Sequence, residues 1–467
     1  MIKLPIGITG LDDLLHGGFP KSKTTYILGT AGSGKTMLAT QFLYQGALLK
    51  EPSLLVSFDE SSEDIIDNFQ SIYMDLSAMI EKKLLAITHI FFDENTFAES
   101  TNFTLDGLKL RLEILINEIG AKRVVLDSFE TLFERFDQTF SYRTELSKLL
   151  HWLKGKGLTT VLTGGLDSNV LGIESYLADC VILLDQRVKG QISTRRIRVV
   201  KYRGSSHETN EYPFSITSKG LLLSPLSSIN LNHSILKTRV STGIPTLDAL
   251  FGGKGFYEGS SILVSGEAGA GKSSLSAHFI SSVCSSGKKA IMFLFEESED
   301  QVKRNMLSIG IDLQPFIDDG LLKMNATRPT QKGLEEHLLS MIDEIDTFNP
   351  RAVVIDPISS FWSNDVDFGI KALITQIIDY FKSRHITGMF MHLMHGIDSI
   401  KEQDTMISSL IDTWVVLRNR ESDYRHYREL FIVKSRGMEH NHSINTFKLT
   451  DDGFIIEGEV NDDKRKQ

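Results

Sequence analysis

The sequence predicts an α/β protein of two tandem domains, each a mostly parallel sheet flanked by helices. Three observations carry that expectation: two glycine-rich loops of one pattern, near-constant spacing between paired landmarks, and apolar strands alternating with helical stretches. The loops read Gly29-Thr30-Ala31-Gly32-Ser33-Gly34-Lys35-Thr36 and Gly266-Glu267-Ala268-Gly269-Ala270-Gly271-Lys272-Ser273. Each satisfies G-x-x-x-x-G-K-[ST] and follows a short apolar run, Thr25 to Leu28 or Ser261 to Val264. Each opens onto a helix-compatible stretch, Met37 to Leu49 or Ser274 to Cys284. The phosphate-binding motif requires that strand–loop–helix context. Its glycines let backbone amides curl around phosphates, its lysine reaches the β- and γ-oxygens, and its hydroxyl holds Mg²⁺. Two sites that bind and hydrolyse a nucleotide triphosphate such as ATP are expected.

The loops belong to a duplicated domain. Lys35 and Lys272 lie 237 positions apart, as do Glu60 and Glu297. Asp127 and Asp356 are 229 apart, and the motifs beginning at Lys201 and Lys434 are 233 apart. The leading segment also recurs, Gly7-Ile8-Thr9-Gly10-Leu11-Asp12 against Gly243-Ile244-Pro245-Thr246-Leu247-Asp248. A repeat of this length is a whole domain, not a solenoid unit. The expected division is residues 1–224, a connector at 225–238, and residues 239–467. The seam is read around Lys219 to Arg239, where Leu221 to Leu223 and the following Ser/Pro residues suggest a connector that packs down. Strands are expected at Leu54 to Phe58, Arg123 to Leu126, Ala290 to Phe295 and Ala352 to Ile355. Helices are expected at Leu105 to Ile119 and Gly369 to Phe381. Continuous apolar strands between helices indicate a parallel sheet covered on both faces.

Composition narrows the function classes. Of 467 residues 41% are hydrophobic and 24% charged, enough to bury two cores. No apolar run approaches the ~20 residues of a membrane span, and Met1 to Pro5 begins no signal peptide, so a cytoplasmic protein is expected. Cys180 and Cys284 read as reduced core thiols. The net charge of −10 argues against a nucleic-acid coat or membrane anchor. Arg195, Arg196, Arg198, Lys201 and Arg203 concentrate basic charge locally, as a solvated strand edge or a binding patch.

Three constellations carry the chemistry. Asp59-Glu60 and Glu296-Glu297 end the strand after each phosphate-loop helix, where a carboxylate can deprotonate an attacking hydroxyl or water. Acidic residues favoured at a helix start are the alternative, because Ser61-Ser62-Glu63 and Ser298-Glu299 follow. Asp127 and Asp356 end apolar runs, as a Walker B aspartate must to meet the Mg²⁺ shell; a turn or cap aspartate is the alternative. With Thr36, Ser273 and Glu296 they form the candidate metal set. Lys201-x-Arg203-Gly-x-x-His207 and Lys434-x-Arg436-Gly-x-x-His440 place paired cations without local acidic partners, suited to contacting the nucleotide of an adjacent subunit, or to a surface strand. His392 and His395 are read as core or nucleotide-proximal, since no third metal ligand is near.

These motifs together resemble the KaiC family of tandem RecA-like P-loop NTPases. The leading segments, both loops, the acidic pairs, the Glu208 to Ile216 stretch and both Lys-x-Arg-Gly-x-x-His motifs carry the likeness. The resemblance implies a homo-hexameric ring with ATP between subunits. It also implies slow ATP hydrolysis in the first domain and serine/threonine autophosphorylation in the second. The family's acceptor stretch Ile-Ser-Thr-Ile-Thr-Asp-Thr matches Ile407-Ser408-Ser409-Leu410-Ile411-Asp412-Thr413, which makes Ser408 and Ser409 the implied phosphoacceptors. Two departures follow. Asp59 stands where the family's first domain has glutamate, and only the charged stretch Asp462 to Gln467 remains soon after Ile456. The short tail speaks against a KaiA-like partner and leaves a KaiB-like one with a clock-like, stress or signalling role. A RecA/RadA-like DNA-dependent ATPase and a non-catalytic nucleotide-gated scaffold are the competing classes.

Overall fold

In the computed structural model the described residues are 1–72, 74–91, 105–132, 139–165, 173–189, 192–223, 236–361, 367–394, 409–422, 425–451 and 453–459. The chain separates into two compact units, Met1–Pro225 and Leu226–Gln467. Unit one holds a nine-stranded sheet. Its order is Gly220–Leu223, Glu211–Thr217, Ile192–Tyr202, Cys180–Lys189, Thr24–Gly29, Thr159–Gly165, Arg123–Asp127, Ser53–Ser57, Leu85–His89. The strands from Cys180–Lys189 to Leu85–His89 run parallel. The other three extend that edge as an antiparallel meander.

Unit two repeats the order without change: Gly453–Glu459, Asn445–Thr450, Arg425–Ser435, Thr413–Ser422, Ser261–Gly266, Thr387–Leu393, Ala352–Asp356, Ala290–Leu294, Leu322–Ala326. The spacing of landmarks in the sequence therefore reports a duplicated topology.

The apolar runs account for the layers. Thr24–Gly29, Ser53–Ser57 and Arg123–Asp127 are buried along their whole length. Alternate residues face opposite sides, so each central strand feeds two cores. In unit one, Leu55, Val125 and Ile27 meet Leu38 and Phe42 of the helix Lys35–Leu48. On the other face Leu54, Val124 and Tyr26 meet Leu112 and Leu149 from the helices Asp106–Ile119 and Thr139–Gly155. The phosphate-loop strand occupies the middle of each sheet, and its carboxyl end opens where open α/β sheets bind ligands.

The repeated leading segments have a common cause. The Asp12 carboxylate accepts from the amides of Ile6 (2.9 Å) and Gly7 (3.1 Å), and Asp248 accepts from the Thr242 amide at 2.8 Å. Gly243 has φ 79°, and a Cβ there would stand 2.1 Å from the His278 carbonyl oxygen, so only glycine fits.

One expectation is corrected. Gly220–Leu223 is no connector but the edge strand of unit one, with Phe214 opposite Leu223 and both Leu221 and Leu223 buried. The alternating burial of the leucines outweighs the Ser/Pro composition that follows them. Most of the connector 225–238 and all of Asp462 to Gln467 lie outside the described residues. Cys180 and Cys284 are free and buried, and burial pushes both thiols up to about 12. Among the described residues no helix is long and apolar enough to cross a membrane.

Candidate nucleotide sites

Gly34 (φ 96°) and Gly271 (φ 99°) turn each loop through the left-handed region, immediately before helices Lys35–Leu48 and Lys272–Ser285. That turn leaves the first-turn amides of each helix facing the loop, a ready site for phosphate. The lysines lie back across their own loops. Lys35 Nζ donates to the carbonyls of Gly29 (2.9 Å) and Thr30 (3.2 Å), and Lys272 Nζ to those of Gly266 (2.9 Å) and Glu267 (2.8 Å). Burial lowers the Lys272 pKa against the raising effect of Asp356, Glu296 and Glu267.

The candidate metal residues come together in pairs. Thr36 Oγ1 donates to Asp127 Oδ2 at 2.9 Å, and Ser273 Oγ to Asp356 Oδ2 at 2.8 Å. A hydroxyl beside one carboxylate suits Mg²⁺, which keeps several waters and takes its remaining oxygens from nucleotide phosphates. Among the described residues no group of three or more His, Cys, Asp or Glu could hold a metal without such a ligand. Burial raises both carboxyl pKa values, that of Asp356 to about 6.

The acidic pairs divide by exposure. Asp59 and Glu296 are exposed, whereas Glu60 and Glu297 are half-buried. The half-buried pair accept from Asn68 Nδ2 (3.3 Å) and Asn305 Nδ2 (3.2 Å). Burial, then the nearby Asp127 charge, raises the Glu60 pKa. The helices that follow are capped by Ser61 and Ser298, so neither acidic pair serves as an N-cap. In unit two, Ser360 Oγ donates to Glu296 Oε1 at 2.7 Å and Arg328 Nη1 donates to the Glu296 carbonyl at 2.9 Å. Gly271, Lys272, Ser273, Glu296, Glu297 and Asp356 line one cavity of about 380 Å³.

The basic motifs lie elsewhere. Lys201 pairs with Val181 and Val181 with Tyr26, while Lys434 pairs with Trp414 and Trp414 with Leu263, towards the amino end of the strand that delivers each loop. Three residues of strand, roughly 10 Å, separate that level from each phosphate loop. Backbone carbonyl oxygens, not carboxylates, accept from Lys201, Arg203 and Arg436. Lys201 Nζ donates to Ser175 (2.8 Å) and Tyr176 (3.2 Å), Arg203 Nη2 to Tyr176 (2.7 Å), and Arg436 Nη2 to Ser409 (2.6 Å). The His207 ring lies 6.4 Å from that of Tyr202, and the His440 ring 4.5 Å from that of His442. Burial, then Arg436, lowers the Lys434 pKa. Ser409 is exposed in the turn before Thr413–Ser422, while Ser408 and His395 lie outside the described residues. His392 is buried on Thr387–Leu393.

Sequence reasoning missed four groups around these sites. Asn68 and Asn305 stand 237 positions apart, so the repeat spacing could have found them. Thr163 and Glu130 had no such signal. Thr163 Oγ1 donates to Asp127 Oδ1 at 2.5 Å and accepts from the Ser128 amide at 2.8 Å. The register puts Met391 at the place of Thr163, since Ile27 pairs with Thr163 as Val264 pairs with Met391. Pro357 follows Asp356 where Ser128 follows Asp127, and a proline has no amide proton to give.

Comparison with known proteins agrees with this geometry. A family model described as ATPase: KaiC matches residues 4–228 and again 240–460. The chain is 42% identical to the circadian clock protein KaiC2 of Synechocystis sp., over 98% of this chain and 83% of that one. It is 35% identical to the circadian clock oscillator protein KaiC of Parathermosynechococcus lividus (97% and 85% covered). Against that of Acaryochloris marina the identity is 34% (97% and 88% covered). The chain belongs to the KaiC family: a nucleotide-binding ATPase of two tandem RecA-like domains.

Proposed function

We propose that this KaiC-family ATPase closes into a ring, hydrolyses ATP slowly in unit one, and phosphorylates its own serines in unit two. The observation that carries this reading is the separation of each Lys-x-Arg motif from the phosphate loop of its own unit. Cations held roughly 10 Å of strand away from their own loop serve a nucleotide bound by a neighbouring copy. In unit two, Arg436 also holds the carbonyl of Ser409, so the acceptor segment and the cation travel together.

In the proposed step Lys272 leaves the loop carbonyls for the β- and γ-phosphate oxygens. Ser273 and Asp356 would hold Mg²⁺, which when bound would supply positive charge against the phosphates. The Ser408 or Ser409 hydroxyl of an adjacent subunit attacks the γ-phosphorus and gives its proton to Glu296. The new bond is Oγ–P; the bond broken joins the γ-phosphorus to the β–γ bridging oxygen, which leaves on ADP. In unit one water is the nucleophile, and the family's hexamer and a KaiB-like partner complete the regulatory role.

The test is incubation with γ-labelled ATP and phosphosite mapping, with Glu296→Gln and Ser408→Ala/Ser409→Ala in parallel. Label on Ser408 or Ser409 that vanishes in Glu296→Gln is the expected result. Hydrolysis without any protein-bound label contradicts the kinase half of the proposal, and stimulation by DNA would favour a recombination-type motor instead.

A further inference from the structure

Unit one carries a carboxylate that unit two lacks. Glu130 sits in the single 3-10 turn Phe129–Leu132, directly after the strand ending at Asp127. Its Oε1 lies against Gly165, 3.5 Å from where a Cβ on that glycine would stand. Gly165 ends the strand beside the phosphate-loop strand and pairs with Gly29. Glu130 thus lies beside the strand end that pairs with the first residue of the phosphate loop, and the charges of Lys35 and Asp127 act on it.

The place of Glu130 in unit two is taken by Ser359, three residues after Asp356 as Glu130 is three after Asp127. Ser359 Oγ accepts from the Leu393 amide at 3.1 Å, and Leu393 pairs with Gly266 as Gly165 pairs with Gly29. In unit two that bond tethers the end of the neighbouring strand. A serine does it with one oxygen. Glu130 has a second oxygen, Oε2, that is buried and has no hydrogen-bond partner among the described residues. A buried acceptor left unpaired is costly, and the cost is tolerated where the site later supplies a donor.

We propose that Glu130 is a further catalytic residue of the first site, the carboxylate that orients and deprotonates the attacking water. The other carboxylates there are less suited. Asp59 is exposed and one methylene shorter than Glu296, and Glu60 is engaged by Asn68. Asp127 is bonded by Thr36 and Thr163. In the step, a water oxygen bonds to the γ-phosphorus as the bond to the β–γ bridging oxygen breaks. The water proton passes to Glu130 Oε2, and ADP and inorganic phosphate leave. Where the second site must admit a serine hydroxyl, Ser359 presents no carboxylate to activate water. The proposal rests on unit one being hydrolytic.

The experiment uses the full chain with Lys272→Ala, so that only the first site turns over, and adds Glu130→Gln, Glu130→Ser or Asp59→Asn. Glu130→Ser places there the residue that unit two carries, which guards against a variant that merely misfolds. A positioned base contributes roughly 10²-fold or more. Both Glu130 variants are expected to lower kcat about 100-fold, with KM for ATP and the affinity for a fluorescent ADP analogue unchanged within about twofold; Asp59→Asn loses less. Unchanged kcat in Glu130→Ser, or weakened binding with kcat preserved, overturns the proposal. A Lys272→Ala parent that does not hydrolyse ATP refutes the assignment of hydrolysis to unit one, and Glu130 with it.

Discussion

Asp127 and Asp356 end equivalent strands in identical sheets, yet their surroundings differ. Asp127 receives two hydroxyls, from Thr36 and Thr163, and the Ser128 amide completes that chain. Asp356 receives the Ser273 hydroxyl, with Met391 and Pro357 at the positions of Thr163 and Ser128. The donor and its own amide partner have been lost together, so the swap leaves no orphaned group. Duplication preserved the nucleotide cradle while the residues just behind it diverged. Arg123 makes the same point lower in the sheet. It is fully buried in unit one, paired to Glu51 at 2.7 Å and bonded to the carbonyls of Pro5 and Phe42. Ala352 holds its register in unit two, where a cavity of about 390 Å³ opens beside Val283, Lys288 and Ala352.

The contrast at Arg123 gives the largest expected effect. Arg123→Ala copies unit two without its compensations and strips Glu51 of its partner; removing one member of a buried pair costs about 3–5 kcal/mol. Differential scanning calorimetry should show one transition fall and the other stay; two transitions that shift together would mean the units do not melt independently.

The next effect concerns pH. Asp356 must be ionised to hold Mg²⁺, and its pKa stands at about 6. MgATP affinity at the second site, read in the Lys35→Ala chain, should fall about tenfold per unit below pH 6. The linkage for folding has the opposite sense. Because the folded pKa is raised from 3.8, the buried carboxyl favours the folded state while protonated, and that advantage is lost as pH rises from about 4 to 6. Met391→Thr gives Asp356 the second hydroxyl of unit one and should move the binding midpoint to lower pH; an unmoved midpoint would mean the hydroxyl does not reach.

Smaller effects test the supporting groups. Thr163→Val leaves Asp127 and the Ser128 amide each short of a partner, and should cost about 1–3 kcal/mol by denaturant titration of unit one. Asn68→Ala and Asn305→Ala each remove a single hydrogen bond to a half-buried carboxylate. Each should cost about 0.5–1.5 kcal/mol, and equal losses would indicate that this part of the duplication has not diverged.

The same contrast explains what the sequence disclosed. Both loops, the acidic pairs and the strand-end aspartates were legible because their chemistry demands particular residues at particular spacings, and the spacing occurs twice. The parallel core was legible in its apolar runs. The edge strand Gly220–Leu223 was misread because short strands and packed connectors share leucine-rich composition. The carbonyl partners of Lys201, Arg203 and Arg436 left no trace, since every residue carries a carbonyl. Thr163 and Glu130 were hidden for a different reason. A repeat exposes what two halves share, and these residues are where the halves differ.

The central claim is that the two sites divide hydrolysis from transfer, and the most direct measurement reads both products from one reaction. Full-length Lys35→Ala and Lys272→Ala chains would be mixed with γ-labelled ATP, and released phosphate and protein-bound label followed together. Lys35→Ala should lose most phosphate release and keep the label, while Lys272→Ala should lose the label and keep release. If both products follow one lysine, or both fall by half in each variant, the division of labour between the units is wrong.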